Sequence, residues 1–125
     1  MSALKPVGFF SETGHPGGPS LVESRHRGPQ ALRARIAAYL QAGTTLSVSS
    51  GSYRDWFDSS KKSGTKQIVS DGVWVWPGDL AYYVEQHGVA LPQEFLSHME
   101  AMNWSPPHLG HVEIVAACRA LSKIG

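Results

Sequence analysis

The sequence has 125 residues, a length that suits one domain with a core large enough to fold without disulfides or metal. Hydrophobic residues make up 42% and charged residues 17%, a balance that is typical of globular chains and excludes a disordered one. The formal net charge of +1 lacks the basic excess of a nucleic-acid-binding domain, so no nucleic-acid partner is expected.

The single cysteine, Cys118, has no second thiol to pair with, which is typical of proteins in a reducing compartment. The first ten residues contain one lysine and only a short apolar run, unlike a signal peptide. No stretch approaches the ~20 uninterrupted apolar residues of a membrane span. We therefore expect a cytoplasmic protein without a membrane partner.

The N-terminal part of the chain, residues 1–28, is rich in Gly, Pro and Ser and predicts an arm without regular helix. Its apolar pieces, Val7–Phe10 and Ser20–Val22, are expected to dock on the body as extended segments. The first helix is predicted over Pro29–Gln41, because apolar residues recur there at helical spacing. Gly43 is expected to end it in a left-handed conformation.

A strand and a long loop follow the first helix. The alternating residues 44–50, TTLSVSS, indicate a strand. Residues 51–66 are polar with aromatic inclusions and are predicted to form a loop. At roughly 16 residues this loop exceeds the ~4–6 residues of most connections, and loops of that length are usually functional or mobile.

A hairpin is predicted around Asp71-Gly72, between the apolar runs Gln67–Ser70 and Val73–Trp76. A type I′ turn is expected, since Asp-Gly accepts the positive φ that both central residues need. Pro77 ends the second strand because it has no N–H to donate to a ladder.

Large aromatic rings are concentrated in this part of the chain. On the strand, Trp74 and Trp76 share one face, and the two valines beside them share the other. Tyr82 and Tyr83 are adjacent on the following helix and point ~100° apart. We interpret these rings mainly as core, with Tyr82 and one of the two tryptophans as the exceptions that line a surface.

Three helices complete the chain, over Gly78/Asp79 to His87, Gln93–Asn103 and His108–Ser122, and Gly88 caps the first of them. The last is apolar on two sides, so it is expected to be pressed between two neighbours. This order predicts an α+β fold in a single domain, residues 1–125, whose body spans residues 29–125. Its small antiparallel sheet of about three strands is expected to pack against about four helices in two layers.

The chemistry-bearing residues do not assemble into a known catalytic or metal motif. The segment TGHPGGPS matches neither a phosphate-binding loop nor a dinucleotide fingerprint. His108 and His111 are too few ligands for a closed zinc site. Cys118 lies within an apolar helix, unlike a reactive thiolate. His87 and His98 are isolated on different helices. No catalytic residue, metal or cofactor is therefore predicted.

The predicted loop contains the candidate binding site. Two acidic residues bracket Trp56-Phe57, with basic residues on either side. Aromatic residues and arginine among charged neighbours are typical of an interface hot spot, although a solvated connection fits the same composition. The candidate partner-binding residues are Tyr53, Arg54, Asp55, Trp56 and Asp58.

Two further runs carry a resemblance: SDGVWVWPGDLAYYVE, and then LPQEFLSHM. The residues concerned are Asp71, Gly72, Trp74, Trp76, Pro77, Asp79, Leu80, Tyr82, Tyr83, Leu91, Pro92, Glu94, Phe95 and His98. Together with residues 18–20, 38–40 and 43, the pattern covers most of the chain. It resembles a widespread group of small uncharacterised bacterial proteins that look like immunity proteins of polymorphic toxin systems.

The resemblance implies a small cytoplasmic inhibitor encoded beside a cognate protein toxin, and it brings no catalytic residues. We therefore expect a non-enzymatic immunity protein that occludes its toxin through the candidate residues above. Acidic residues are expected to pair with basic residues of the toxin. The alternative is a small ligand-binding protein or enzyme that uses the Trp/Tyr face with His87 or His98, which requires a pocket with convergent polar groups.

Overall fold

The computed structural model describes the backbone of residues 4–124 and the side chains of residues 4–121. Its strands are β1 Lys5–Pro6, β2 Thr44–Arg54, β3 Lys62–Ser70 and β4 Trp74–Pro77. Its helices are α1 Leu21–Ser24, α2 Arg33–Ala42, α3 Leu80–His87, α4 Gln93–Ala101 and α5 His111–Ile124. Within this part of the chain, no helix combines the length and apolar character needed to cross a membrane.

The four strands form one mixed sheet in the order β1-β4-β3-β2. The three strands β2, β3 and β4 are antiparallel neighbours, as predicted. The sequence did not predict β1, which runs parallel to β4 with Lys5 opposite Trp74. Two bonds tie it in place: Lys5 N–H donates to Val73 O and Val7 N–H donates to Val75 O, each at 2.9 Å. A strand of two residues has no periodicity to detect.

The α+β class is confirmed, but the expectation of two layers is wrong, because helices cover both faces of the sheet. One face carries the main core, packed under α2, α3 and α4. The opposite face carries Val75 and packs against α5 through Ala117, with Leu4 of the arm beside them. Only one side of α5 is buried, and Val112 is 76% exposed. The prediction that two neighbours press on this helix is therefore wrong.

The two tryptophans of β4 both lie in the core. Trp76 is 1% exposed and its Nε1–H donates to Leu40 O at 3.1 Å, while Trp74 stacks on Phe95 of α4 with centroids 4.7 Å apart. The predicted alternation is correct, because Val75 faces the other side. The expectation of one surface tryptophan is wrong, since α4 covers the end of the strand. Tyr82 is half-buried at the core's edge.

The long loop predicted over residues 51–66 is mostly a β-hairpin. β2 continues to Arg54 and β3 begins at Lys62, so only residues 55–61 connect them. The pairing register shifts between Val48 and Ser52, where Gly51 takes a φ of +97° in a bulge. The alternation ends at Val48, because residues 49–52 are Ser-Ser-Gly-Ser and contain no apolar side chain that would extend it.

The turn between β3 and β4 confirms the predicted hairpin but not its type. Only Gly72 has a positive φ, at +95°, whereas a type I′ turn needs two such residues. The buried Asp71 stabilises the turn instead, because its Oδ1 accepts hydrogen bonds from Val73 N–H at 2.9 Å and Trp74 N–H at 2.7 Å.

The glycines that follow α2 and α3 serve different purposes. Gly88 caps α3 with a left-handed φ of +58°, as predicted. Gly43 has a φ of −64°, so the predicted left-handed cap is wrong. A Cβ at Gly43 would lie 2.6 Å from a Val69 methyl and 2.7 Å from the Trp76 ring, so the residue is small because the sheet passes close by.

The N-terminal arm docks on the body through Val7, Phe10 and Leu21, which join the main core. Its second apolar piece forms the short helix α1 rather than an extended segment. Glu12 caps this helix by accepting hydrogen bonds from Leu21 N–H at 2.7 Å and Val22 N–H at 3.1 Å. Partial burial raises the pKa of Glu12, but these donors outweigh it and lower the pKa to about 2.

Candidate functional site

The five candidate residues lie together at the end of the β2–β3 hairpin, in residues 53–62, which we call the hairpin tip. Backbone bonds close the tip into a compact turn: Asp55 N–H donates to Lys61 O at 2.9 Å, and Lys61 N–H donates to Asp58 O at 3.0 Å. Adjacent candidates in the sequence therefore remain adjacent in space, although their exposure differs widely.

Asp55 is only 2% exposed and does not face a partner. Its Oδ2 lies 2.8 Å from His87 Nε2 and accepts a hydrogen bond from the Tyr82 hydroxyl at 2.7 Å. Its Oδ1 accepts from Phe57 N–H at 2.8 Å. Burial raises the pKa of the Asp55 carboxyl, but these hydrogen bonds and the His87 imidazole lower it by more, below its ordinary value. The placement of Asp55 among direct partner contacts is thus corrected, since the residue anchors the tip to α3.

Two tyrosines of α3 complete this anchor. The Tyr83 hydroxyl accepts a hydrogen bond from Trp56 N–H at 3.0 Å, so α3 holds the backbone of the turn as well as Asp55. The hydrogen bond to Asp55 is the largest cause that raises the pKa of Tyr82 to about 12. Sequence reasoning missed the roles of Tyr82 and His87 here, because no local pattern connects α3 to a distant turn.

Trp56 is the apolar side chain that the tip presents to solvent, at 49% exposure. Its ring meets Phe57 edge-on, with centroids 5.4 Å apart. Phe57 in turn packs on the His87 ring at 4.6 Å, and the Arg25 guanidinium lies 4.1 Å from the centre of the Phe57 ring. A cation over an aromatic face is an attractive contact. Trp56 therefore stands on a supported base instead of a mobile loop.

The other three candidates flank this base. Tyr53 is half-buried, and burial, with a contribution from the Asp79 charge, raises its pKa. Arg54 is exposed at the end of β2. Asp58 is exposed too, and its Oδ1 accepts hydrogen bonds from Ser60 N–H at 3.1 Å and the Ser60 hydroxyl at 2.6 Å. Asp58 thus shapes the turn while remaining accessible.

A second carboxylate cluster repeats the same chemistry inside the core. Asp71 Oδ2 accepts a hydrogen bond from the Tyr39 hydroxyl at 2.6 Å, and His98 Nε2 lies 3.1 Å from the same oxygen without hydrogen-bond alignment. Both His87 and His98 therefore face buried carboxylates. Among the described residues, neither imidazole is hydrogen-bonded to a serine, threonine or cysteine that would act as a nucleophile.

A groove of about 900 Å³ lies on the opposite face of the sheet. The N-terminal arm forms one wall, Ile68 and Val75 form the floor, and Leu91 and Leu121 contribute to the remaining sides. No tryptophan or tyrosine of the described residues lines it. The Trp/Tyr face that the sequence suggested as a ligand site is instead filled core.

The remaining motif residues do not converge. His108 and His111 are exposed, and Cys118 is half-buried with its Sγ 3.8 Å from Leu46 O. In the part of the chain that the structure describes, no three residues among His, Cys, Asp and Glu group as a metal site would require.

Comparison with protein-family models, curated proteins and solved structures gives no match to this chain. Its function is therefore inferred from its own residues.

Proposed function

We propose that this chain is a cytoplasmic immunity protein, a non-enzymatic binding protein that occludes a cognate bacterial toxin through the hairpin tip. The observation that carries the proposal is the exposed Trp56 ring on its base of Phe57, Arg25 and His87. Tryptophan and arginine are the residues most enriched at interface hot spots. The sequence resemblance to immunity proteins supplies the class of partner.

The anchoring of the tip supports binding by a preformed surface. Asp55 and Tyr83 fix the turn to α3 through side-chain hydrogen bonds at the base of the exposed ring. A segment that is already ordered loses less conformational entropy when it binds, so more of the contact energy appears as affinity. An inhibitor that must reach a toxin before damage begins benefits from this arrangement.

The alternative, a ligand-binding protein or enzyme that uses the Trp/Tyr face, has less support from the geometry. Trp74, Trp76 and Tyr83 are at most 5% exposed, and all three belong to the packed main core. The groove on the other face is apolar and holds His15 at its rim, in edge contact with Phe9 at 5.0 Å. It lacks the convergent polar groups that a catalytic pocket requires.

The test is protection of a bacterial host that expresses the toxin candidate encoded beside this chain's gene. We expect co-expression of the wild-type chain to restore growth and calorimetry to show a complex. Trp56→Ala is expected to weaken the complex by about tenfold or more, because it removes the central apolar anchor. Val48→Ala is the matched control, since Val48 is a 67% exposed apolar residue of the same hairpin.

Two results would count against the proposal. Unchanged affinity in the Trp56→Ala variant would reject the tip as the interface. Absence of both protection and complex formation by the wild-type chain would reject the immunity function itself.

A further inference from the structure

The charges of the hairpin tip differ from the charge balance of the whole chain. Three of the ten acidic residues, Asp55, Asp71 and Asp79, are buried. Every lysine and arginine in the described side chains is at least partly exposed. The accessible surface is therefore more positive than the net charge of +1 suggests.

Four of these cations lie in the hairpin tip or beside it. Arg54 and Lys62 end the two strands of the hairpin, Lys61 lies in the turn, and Arg25 covers Phe57. The exposed acidic residue of the tip is Asp58, whose carboxylate already binds Ser60. The buried carboxylate of Asp55 is hydrogen-bonded to Tyr82 and Phe57 N–H and lies against His87.

None of these four cations forms a salt bridge to a described carboxylate, although the charge of Lys61 contributes to the lowered pKa of Asp58. Described carboxylates lie within salt-bridge distance of other residues: Glu94 of Lys5, Asp55 of His87 and Asp71 of His98. Arg54 lies directly opposite Lys62 in the pairing of β2 with β3. Like charges directly opposite each other destabilise a strand pair, so the Arg54–Lys62 pair does not stabilise the hairpin.

We propose, building on the proposed function, that the protein partner presents an acidic surface with an apolar recess to the hairpin tip. Trp56 enters the recess, and the cations of Arg25, Arg54, Lys61 and Lys62 face carboxylates around its rim. This reverses the sequence-based expectation that acidic residues of this chain meet basic residues of the toxin. The reason is that Asp55, the acidic residue at the centre of the candidate set, is buried.

A protein partner fits these observations better than a nucleic acid. Four cations in and beside one short turn form a local patch, whereas nucleic-acid-binding domains carry a basic excess over the whole domain. The remainder of this chain brings the net charge back to +1. A central tryptophan within a charged rim is the organisation of a protein interface.

The experiment is a selection of random displayed peptides on the immobilised full chain at about 0.15 M salt, with Trp56→Ala as the counter-selected bait. The enriched peptides are then titrated against three proteins: wild type, Lys62→Glu and Lys66→Glu. Lys62→Glu places opposite charges across the strands from Arg54, so it preserves or stabilises the hairpin while it lowers the positive charge of the tip. Lys66→Glu makes the same charge change on an exposed residue of β3 outside the tip.

We expect the enriched peptides to combine Asp or Glu with an apolar residue. Their affinity is expected to fall about tenfold in Lys62→Glu and to change little in Lys66→Glu. Neutral or basic peptides, no enrichment over the Trp56→Ala bait, or equal affinity for both charge variants would each overturn the inference. So would binding of an oligonucleotide duplex more tightly than any peptide, or dimerisation of the chain that Trp56→Ala abolishes.

The protection test separates this inference from the proposed function. If Lys62→Glu and Lys66→Glu protect the host equally while Trp56→Ala does not, the immunity function stands and the acidic partner surface is wrong. If the wild-type chain gives no protection, the proposed function fails independently of the peptide result.

Discussion

Asp79 is a buried acidic residue that forms no salt bridge with a described cation. It precedes α3 and is 5% exposed, yet its side chain makes no capping hydrogen bond to the helix. Burial raises the pKa of its carboxyl to about 6, against an ordinary value of about 3.9. The folded state therefore binds this proton more tightly than the unfolded chain does.

The stabilisation from a protonated Asp79 is complete below about pH 4 and is lost as the pH rises through about 6. Asp79→Asn carries no charge, so we expect the variant to exceed the wild type in free energy of unfolding by roughly 1–3 kcal/mol at pH 8. Little difference is expected at pH values below about 4. Urea unfolding at both pH values measures this, and a difference independent of pH would contradict it.

Asp58→Asn is the control, because its expected effect on the free energy of unfolding at pH 8 is opposite in sign to that of Asp79→Asn. The Ser60 hydrogen bonds are the main reason why the pKa of Asp58 is lowered, so its charged form favours folding above the ordinary carboxyl pKa. The Asn variant is expected to be no more stable than the wild type at pH 8, and any deficit is expected to disappear as the pH falls below about 4.

Local patterns predicted some of these individual positions and not others. The alternation around Val75 and the left-handed cap at Gly88 depend on one strand or one helix end, so the sequence predicts both correctly. The role of Asp55 depends on Tyr82 and His87, which lie 27 and 32 residues further along the chain. No period or turn signal spans that distance, so the sequence alone predicts a surface position for Asp55.

At the scale of elements, the β2–β3 hairpin depends on α3 for its order at the tip. Asp55→Ala would leave His87, the Tyr82 hydroxyl and Phe57 N–H without their shared acceptor. We expect it to lower the free energy of unfolding by about 2–4 kcal/mol, because three hydrogen-bonding groups would lose their shared acceptor inside the fold. Asp58→Ala, in the same turn but exposed, is expected to have a much smaller effect.

Urea unfolding monitored by circular dichroism measures both alanine variants. Equal effects at the two positions would show that Asp55 does not anchor the hairpin to α3. A larger loss in Asp55→Ala, with a more mobile Trp56 in fluorescence anisotropy, would agree with the geometry.

The helices α2, α3 and α4 were predictable because each has an apolar stripe that faces the main core. The outer part of the hairpin was not, since residues 49–52 contain no apolar side chain and therefore do not continue the hydrophobic period of residues 44–48. Strands of that kind are defined by their pairing partner, here β3, and not by their own composition. The α+β class followed from the helices and from the Asp-Gly hairpin, whereas the number of layers depended on where α5 packs.

At the scale of the whole molecule, the sheet separates two cores of unequal size. The main core contains the largest buried rings, including Trp76, Tyr39 and Phe95. The face under α5 buries Leu4, Val75 and Ala117, with further side chains only partly covered. The two faces therefore contribute unequally to stability, because hydrophobic stabilisation scales with the apolar area removed from water.

We expect α5 to open more readily than α3 in the native state. Its amide hydrogens should exchange at least about tenfold faster than those of α3, because less apolar area is exposed when it detaches. Hydrogen exchange followed by mass spectrometry at neutral pH resolves the two helices in one experiment. Equal protection of α3 and α5 would show that the sheet and both its layers open as one unit.

The outer edge of β2 has a consequence for the behaviour of the chain in concentrated solution. Residues 44–53 contain no charged residue and no proline. Charged residues and prolines are what prevents many edge strands from pairing with strands of other molecules. The bulge at Gly51 is the remaining deterrent, since it bends the strand away from the flat shape that stacking requires. Deleting one residue of the bulge would straighten the edge of β2, and strands of other molecules could then pair with it and cause aggregation. Ser49→Lys would oppose such pairing.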